Sequence, residues 1–381
     1  MSFSADELED GACAATGLDD FGSAYYREGL ERTADALNTE AGLNDLGNVI
    51  QHATISNALI QRLRIEDTYR QHPEIDGEVI RGPVFVIGLP RTGTTALSQL
   101  VAADPQFRSL RTWESQACTP PPEAATQHSD PRIAAAAEGM AMMDEMFPRM
   151  RSMYSSEPEA ATECQDLMGM SFRTFHFDGV VRVPGYLSWL MQCDMRETYT
   201  YHRRVLKLLQ WHCPPNLWHL KTPVHMFSLD ALVEAYPDAR FLWSHRDPAK
   251  VLASVCSLIH YVRSWSSDRD DAVELGAEQL ASWAEAVRRA MDFRKRVGDD
   301  RFVDVSFADL QTDSVATVEH SYDQLGLTFG DDARRRVAEW ARGHAPGSRG
   351  EHAYDLADYG LTPQSVRERF TEYLATYDAS A

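Results

Sequence analysis

The sequence predicts an α/β fold in which a parallel sheet is covered by helices on both faces, with a helical amino-terminal extension and a helical carboxyl end. Three observations predict it. Short apolar runs recur along the chain and are continuous rather than alternating, as strands buried on both faces are. Segments with helical periodicity separate these runs, the order that builds a parallel sheet. The first run, "PVFVIGL" at Pro83–Leu89, leads through a Gly/Pro/Arg/Thr turn into an amphipathic pattern. That layout belongs to loops that cradle phosphate, so the sheet is read as P-loop-type.

The elements follow in order. Residues 1–50 hold eleven acids against Arg27 and Arg32, a solvated acidic surface, and the first 23 residues carry no assignment and are open to being flexible. From about Ala24 to Arg70 helical periodicity sets Leu43, Leu46, Ile50, Leu59, Ile60 and Leu63 on one apolar stripe. After the first strand, further strands are expected at "FRSL" (107–110), "WHLKT" (218–222), "RFLWSHR" (240–246) and "RFVDVSF" (301–307). Pro131–Met150 is a Met- and Ala-rich helix whose methionines are read as packing. Arg196–Gln210 is another helix, with Val205, Leu208 and Leu209 on one side. Thr119–Pro131 is a loop, and Arg342–Gly360 a second, Gly-rich and long enough to suggest function. No repeat or linker divides the chain, which is read as a helical extension over 1–80 and an α/β domain over 81–381.

Composition removes several classes. A chain of 381 residues, 44% hydrophobic, can bury a large core. Its six cysteines are scattered without a C-x-x-C pair, so reduced and mostly buried thiols are expected; with no H-E-x-x-H pattern either, no metal site is expected. A net charge of -20 argues against a nucleic-acid surface, which needs clustered Lys and Arg. The acidic start and the lack of an apolar run near the roughly 20 residues that span a bilayer point to a soluble, cytoplasmic protein. Nothing in the residues sets the oligomeric state.

Two segments carry chemistry. Thr92, Gly93, Thr94 and Thr95 would present backbone N–H groups and hydroxyls at a helix amino terminus, where the macrodipole also favours an anion. The ATP-binding version of this loop has a lysine directly after its second glycine; Thr94 stands there, and Arg91 can supply the charge. Further on, an apolar strand leads into His245 and Arg246, with Asp247 as cap and Pro248 at the first helical position. Arg246 thus lies at the carboxyl end of a strand, where open α/β sheets bind ligands, and Ser254 about two turns into the next helix.

"GLPRTGTT", "LKTP" at Leu220–Pro223 and "SHRDPAKVLASVCSL", in that order, resemble the sulfotransferases that use 3′-phosphoadenosine 5′-phosphosulfate (PAPS), in particular the bacterial branch that shares features with tyrosylprotein sulfotransferases. "TWES", "PGYLSWL", "YHRRVLKLLQW", "SFADL" and "YDLADYGLTPQSVRERF" support it, so the likeness runs from about Pro83 to Tyr373. The resemblance implies that Arg91, Thr92, Gly93, Thr94 and Thr95 bind the 5′-phosphosulfate and that Arg246 and Ser254 bind the 3′-phosphate. It implies that Arg349 and Gly350 in "GSRGEH" close over that phosphate and that Lys221 stands near the transferring sulfuryl group. Cytosolic small-molecule sulfotransferases place a histidine two residues after this lysine, where Pro223 has no proton to exchange. Glu114 in "RTWES" is the expected general base, with His225 as runner-up, and Glu163, in an acidic stretch with Glu157 and Glu159, is expected at the acceptor site. Phe307 stands where relatives commonly have tyrosine.

The implied reaction moves a sulfuryl group from PAPS to a hydroxyl of a small-molecule or lipid acceptor, releasing 3′,5′-adenosine bisphosphate (PAP) without a metal. The rivals are a P-loop kinase using ATP and a non-catalytic nucleotide-binding homologue. The aromatic and apolar stretch "FRTFHFDGVVRVPGYLSWL" suits a greasy acceptor cleft or an ordinary core.

Overall fold

The computed structural model describes residues 2–150, 157–215, 217–269, 271–344 and 354–379. Among them, five strands form one parallel sheet: β1 Val84–Gly88, β2 Arg108–Ser109, β3 Trp218–Lys221, β4 Arg240–His245 and β5 Phe302–Ser306, in the order β2-β3-β1-β4-β5. All five fall within the apolar runs read from the sequence. Successive β1 residues serve opposite faces. Phe85 and Ile87 join Trp243 and the amino-terminal helices in one core, while Val84 and Val86 join Leu97, Leu242, Val303 and Val305 in the other. Being wrapped on both sides is why these runs are apolar without alternation.

Three helices precede the sheet: α1 Ala5–Thr16, α2 Tyr25–Thr39 and α3 Asp45–Gln71. The unassigned acidic start is thus α1, capped by Ser4, with Leu8 and Ala12 buried while its acids face outward. The helical periodicity read over 24–70 is carried by two helices, broken at 40–44, where Asn44 caps α3 by accepting from the Gly47 N–H at 2.8 Å. Leu46 is exposed rather than part of the apolar stripe; Leu59 and Leu63 are buried as expected. Buried Arg62 of α3 ties this region to the rest, donating to the carbonyls of Phe21 (2.6 Å), Ser23 (3.0 Å) and Met170 (3.2 Å) between the rings of Tyr26 and Tyr201.

The connections place the functional elements. The loop after β1 enters α4 Thr94–Ala102; after β2 comes α5 Thr112–Gln116, then α6 Pro131–Met146. Three of the α6 methionines do not pack as the pattern led us to expect: Met142 is 59% exposed, and Met143 and Met146 are also exposed. Three short helices follow, α7 Gln165–Gly169, α8 His176–Val180 and α9 Pro184–Leu190, and then α10 Arg196–Gln210. Between β3 and β4 lie a 3-10 turn at Pro223–Phe227 and α11 Leu229–Ala235. Helices α12 Pro248–Ser266 and α13 Ala272–Val297 join β4 to β5, and short helices complete the carboxyl end. Because the sheet is parallel, the ends of β1, β3 and β4 open onto the same edge, in a register that pairs Val86 with Lys221 and Gly88 with Ser244. Among the described residues no helix is long and apolar enough to cross a membrane.

Candidate active site

The loop between β1 and α4 is held by backbone geometry and by the sheet. Gly88 (φ 141°) and Gly93 (φ 85°) lie in the region that favours glycine, and Arg91 itself adopts φ 65°. Gly93 is also crowded: a Cβ there would meet the Phe307 ring at 2.9 Å and Leu310 at 3.1 Å. Following Gly93, Thr94 and Thr95 open α4, where the first N–H groups lack carbonyl partners within the helix. They are the donors available to an anion.

Thr92 differs from expectation. Its hydroxyl donates to the Leu89 carbonyl at 2.7 Å and meets the Ser244 hydroxyl at 2.5 Å, and the residue is buried. The side chain pins the loop to β4.

Two arginines meet across the loop. Arg91 Nε donates to Ser254 Oγ at 2.9 Å, and Arg246 donates to the Arg91 carbonyl at 2.9 Å. Asp247 caps α12 by accepting from the Ala249 N–H, with Pro248 at the first position, so the turn that carries Arg246 is fixed as its sequence suggested. The Arg246 guanidinium lies 4.1 Å from the centre of the Phe307 ring, so Phe307 provides an aromatic platform beside the loop. Burial disfavours the charge on both arginines, partly offset by Tyr354 beside both and by Asp247 beside Arg246. Arg91, Arg246 and Ser254 are therefore brought together; Arg349 and Gly350 lie outside the described residues.

Lys221, at the end of β3, is buried and points at the loop. Its ammonium donates to Thr95 Oγ1 at 3.4 Å and to Glu163 Oε1 at 2.7 Å. The other Glu163 oxygen accepts from Thr222 Oγ1 at 2.8 Å and from Gln165 at 3.2 Å. Burial works to raise the Glu163 carboxyl, but the Lys221 ammonium and these bonds outweigh it and hold it below the usual range. Glu163 is half-buried, with solvent on one side and the Lys221–Thr95 contact on the other.

The two residues expected to act as base, Glu114 and His225, are both fully buried. Glu114 is 0% exposed; one oxygen accepts from Arg108 (2.6 Å) and Arg111 (2.7 Å), and the other from the Arg111 backbone N–H (3.2 Å). Burial alone would raise its carboxyl, yet the two guanidinium groups hold it below its ordinary value. With its oxygens engaged by Arg108 and Arg111 it closes the start of α5. His225 is buried behind the sheet, its Nδ1 on the Tyr199 hydroxyl (2.9 Å) and its ring edge-on to Phe85. Burial, with His202 beside it, keeps the imidazole neutral. The i,i+3 spacing of "RTWES" holds the Arg111–Glu114 pair, but neither it nor "KTPVH" gave a sign of Arg108 or Tyr199, which come from other elements. Sequence reasoning also passed over Thr222 and Ser244, both of which hold site residues in place.

Fold and site together define a transferase-like anion site, with backbone donors and cations converging at the carboxyl edge of a parallel sheet around one carboxylate. The chain belongs to the sulfotransferase family, whose model matches residues 83–331, and it is an enzyme of that class. It is similar to sulfotransferase STF9 from Mycobacterium avium (31% identity, 99% of this chain and 97% of that one, TM-score 0.92) and to sulfotransferase STF1 from Mycobacterium tuberculosis H37Rv (33% identity, 97% and 98%, TM-score 0.87). It is also 25% identical to the omega-hydroxy-beta-dihydromenaquinone-9 sulfotransferase of Mycobacterium bovis over 77% of this chain and 74% of that protein.

Proposed function

We propose that the chain transfers the sulfuryl group of PAPS to a hydroxyl of a small-molecule or lipid acceptor and releases PAP. The observation that carries this is the Glu163–Lys221 pair beside the loop: a cation for the sulfuryl oxygens and a carboxylate for the acceptor proton within 2.7 Å of each other. In transfer, the bond from sulfur to the donor's bridging oxygen breaks, a bond from sulfur to the acceptor oxygen forms, and the acceptor's proton passes to Glu163. Arg91, Lys221 and the N–H groups of Thr94 and Thr95 answer the negative charge that grows on the sulfuryl and bridging oxygens. Arg246 and Ser254 hold the 3′-phosphate, and Phe307 offers its ring on the nucleoside side. The family match and the lipid-quinone acceptor named for the Mycobacterium bovis relative support the reaction class and a hydroxyl acceptor.

Metal-independent turnover and a cytoplasmic location belong to the proposal, since a singly charged sulfuryl group asks less of a divalent cation than a triphosphate does. So does a division into a helical extension over 1–80 and a sulfotransferase-like domain over 81–381. Calorimetry tests the donor: PAP should bind without metal, and Arg246→Ala should weaken it about 10- to 100-fold, as loss of a charge-assisted bond does. Preference for ATP with Mg²⁺ would sink the proposal in favour of a kinase.

A further inference from the structure

The proposed chemistry gives no part to the two helices at the carboxyl end, Pro363–Arg369 and Thr371–Tyr377. Two of their side chains nevertheless converge on the turn that carries Arg246. On one side of Arg246, buried His245 has Nε2 on Asp304 Oδ1 at 2.9 Å and Nδ1 on the Tyr373 hydroxyl at 3.0 Å, with the Tyr377 ring stacked on it at 4.1 Å. Burial works to raise the Asp304 carboxyl, but His245 and the two bonds from Arg294 (2.6 and 2.9 Å) hold it down to about 2. Burial also lowers the His245 imidazole, with Asp304 opposing it in part, so the ring is neutral. An ionised carboxylate only accepts, so Nε2 carries the proton and Nδ1 accepts from Tyr373. On the other side of Arg246, the Asp247 side chain is 0% exposed. Its Oδ1 accepts from the Ala249 N–H at 3.0 Å and its Oδ2 from half-exposed Arg367 at 2.5 Å.

Resting on the sulfotransferase proposal, in which Arg246 holds the 3′-phosphate, we infer that Arg367 and Tyr373 are positioning residues for that phosphate. They fix the residues on either side of Arg246, so that its guanidinium is offered in one place. The charges give the reason. Asp247 adjoins Arg246 in the chain and favours the charge on its guanidinium, so the two attract one another. A carboxylate in that place competes with a phosphate for Arg246 and repels the phosphate itself. Arg367 gives Asp247 a cation of its own, at the oxygen that the helix cap does not use. Without it, the buried carboxylate lacks its counter-charge and Arg246 is the neighbouring cation able to replace it. Tyr373 works on the preceding residue. Its hydroxyl satisfies the one acceptor of the His245 ring, while Asp304 takes the ring proton, so the end of β4 enters the turn at a fixed angle.

Calorimetry on the full chain tests this with two probes, PAP and adenosine 5′-monophosphate (AMP), which lacks the 3′-phosphate. The wild type should prefer PAP by about 100-fold or more, as loss of several charge-assisted bonds implies. Arg367→Gln should cut that preference about tenfold while AMP affinity stays within about twofold, a selectivity change that a merely structural role would not produce. Arg367→Lys keeps the charge and should restore the preference to within about threefold of the wild type. Tyr373→Phe keeps the ring in the core and removes the hydroxyl alone, and should cut the preference about threefold to fivefold. Thermal melting checks that each variant is folded. Equal weakening of PAP and AMP, a preference unchanged in both Arg367→Gln and Tyr373→Phe, or no rescue by Arg367→Lys overturns the inference. A wild type that binds PAP no better than AMP sinks the donor assignment instead.

Discussion

Glu114 and Glu163 are both carboxylates facing cations, and their surroundings differ. Glu114 is enclosed by Arg108 and Arg111 with no side open, whereas Glu163 holds Lys221 and keeps one side open to solvent. Glu163→Gln should lower kcat by about 10²-fold or more, the usual contribution of a positioned base, with PAP affinity changed only a few-fold; a rapid assay with labelled donor reads the first and calorimetry the second. Glu114→Gln should act on stability, by about 3 kcal/mol, because it leaves two buried guanidinium groups without their counter-charge. Its pH dependence has a definite sign. The Glu114 carboxyl is held below its ordinary 4.5, so its contribution is fully present above that value and is lost as the pH falls through the lower folded-state value. Denaturation of the wild type and the variant should therefore converge as the pH is taken below 4.5. A constant gap down to the acid-unfolded state would contradict the assignment.

At the scale of elements, the strands and the loop were legible because their causes are local. Continuous apolar runs mark doubly covered strands, and Asp247-Pro248 marks a helix start whatever surrounds it. The carboxylates were not legible, because what separates them is the company they keep: Arg108 on β2 closes over Glu114, and Lys221 on β3 meets Glu163. Helix α6 shows the opposite failure, since its methionines suggest packing by composition while Met142, Met143 and Met146 are exposed. The loop itself yields a prediction. Gly93→Ala puts a side chain at φ 85° and against the Phe307 ring, so it should cost about 1–2 kcal/mol and weaken PAP binding as the loop shifts. A variant with unaltered melting and affinity would show that the loop adapts.

For the whole molecule, the point of interest is how a helical extension so rich in acids stays attached. Arg27 pairs with Asp6, Glu9 and Glu31, tying α1 to α2 at the surface, where such pairs contribute little each. Arg62 contributes more, since its guanidinium is buried, bonded to three carbonyls and flanked by two rings from separate parts of the chain. Arg62→Ala should free residues 17–24 from their anchor. Limited proteolysis should then cut within this segment at least tenfold faster than in the wild type, while Arg27→Ala should change the rate little. Equal rates in the two variants would mean that α1 is held by its apolar face alone.

The hydroxyl pair between Thr92 and Ser244 fastens the anion loop to the central strand beside it. The loop is therefore shaped during folding and not when the donor arrives, so capture of the nucleotide requires no folding of the loop. Its association rate should follow the encounter of a multiply charged anion with a positively lined edge, rising as ionic strength falls.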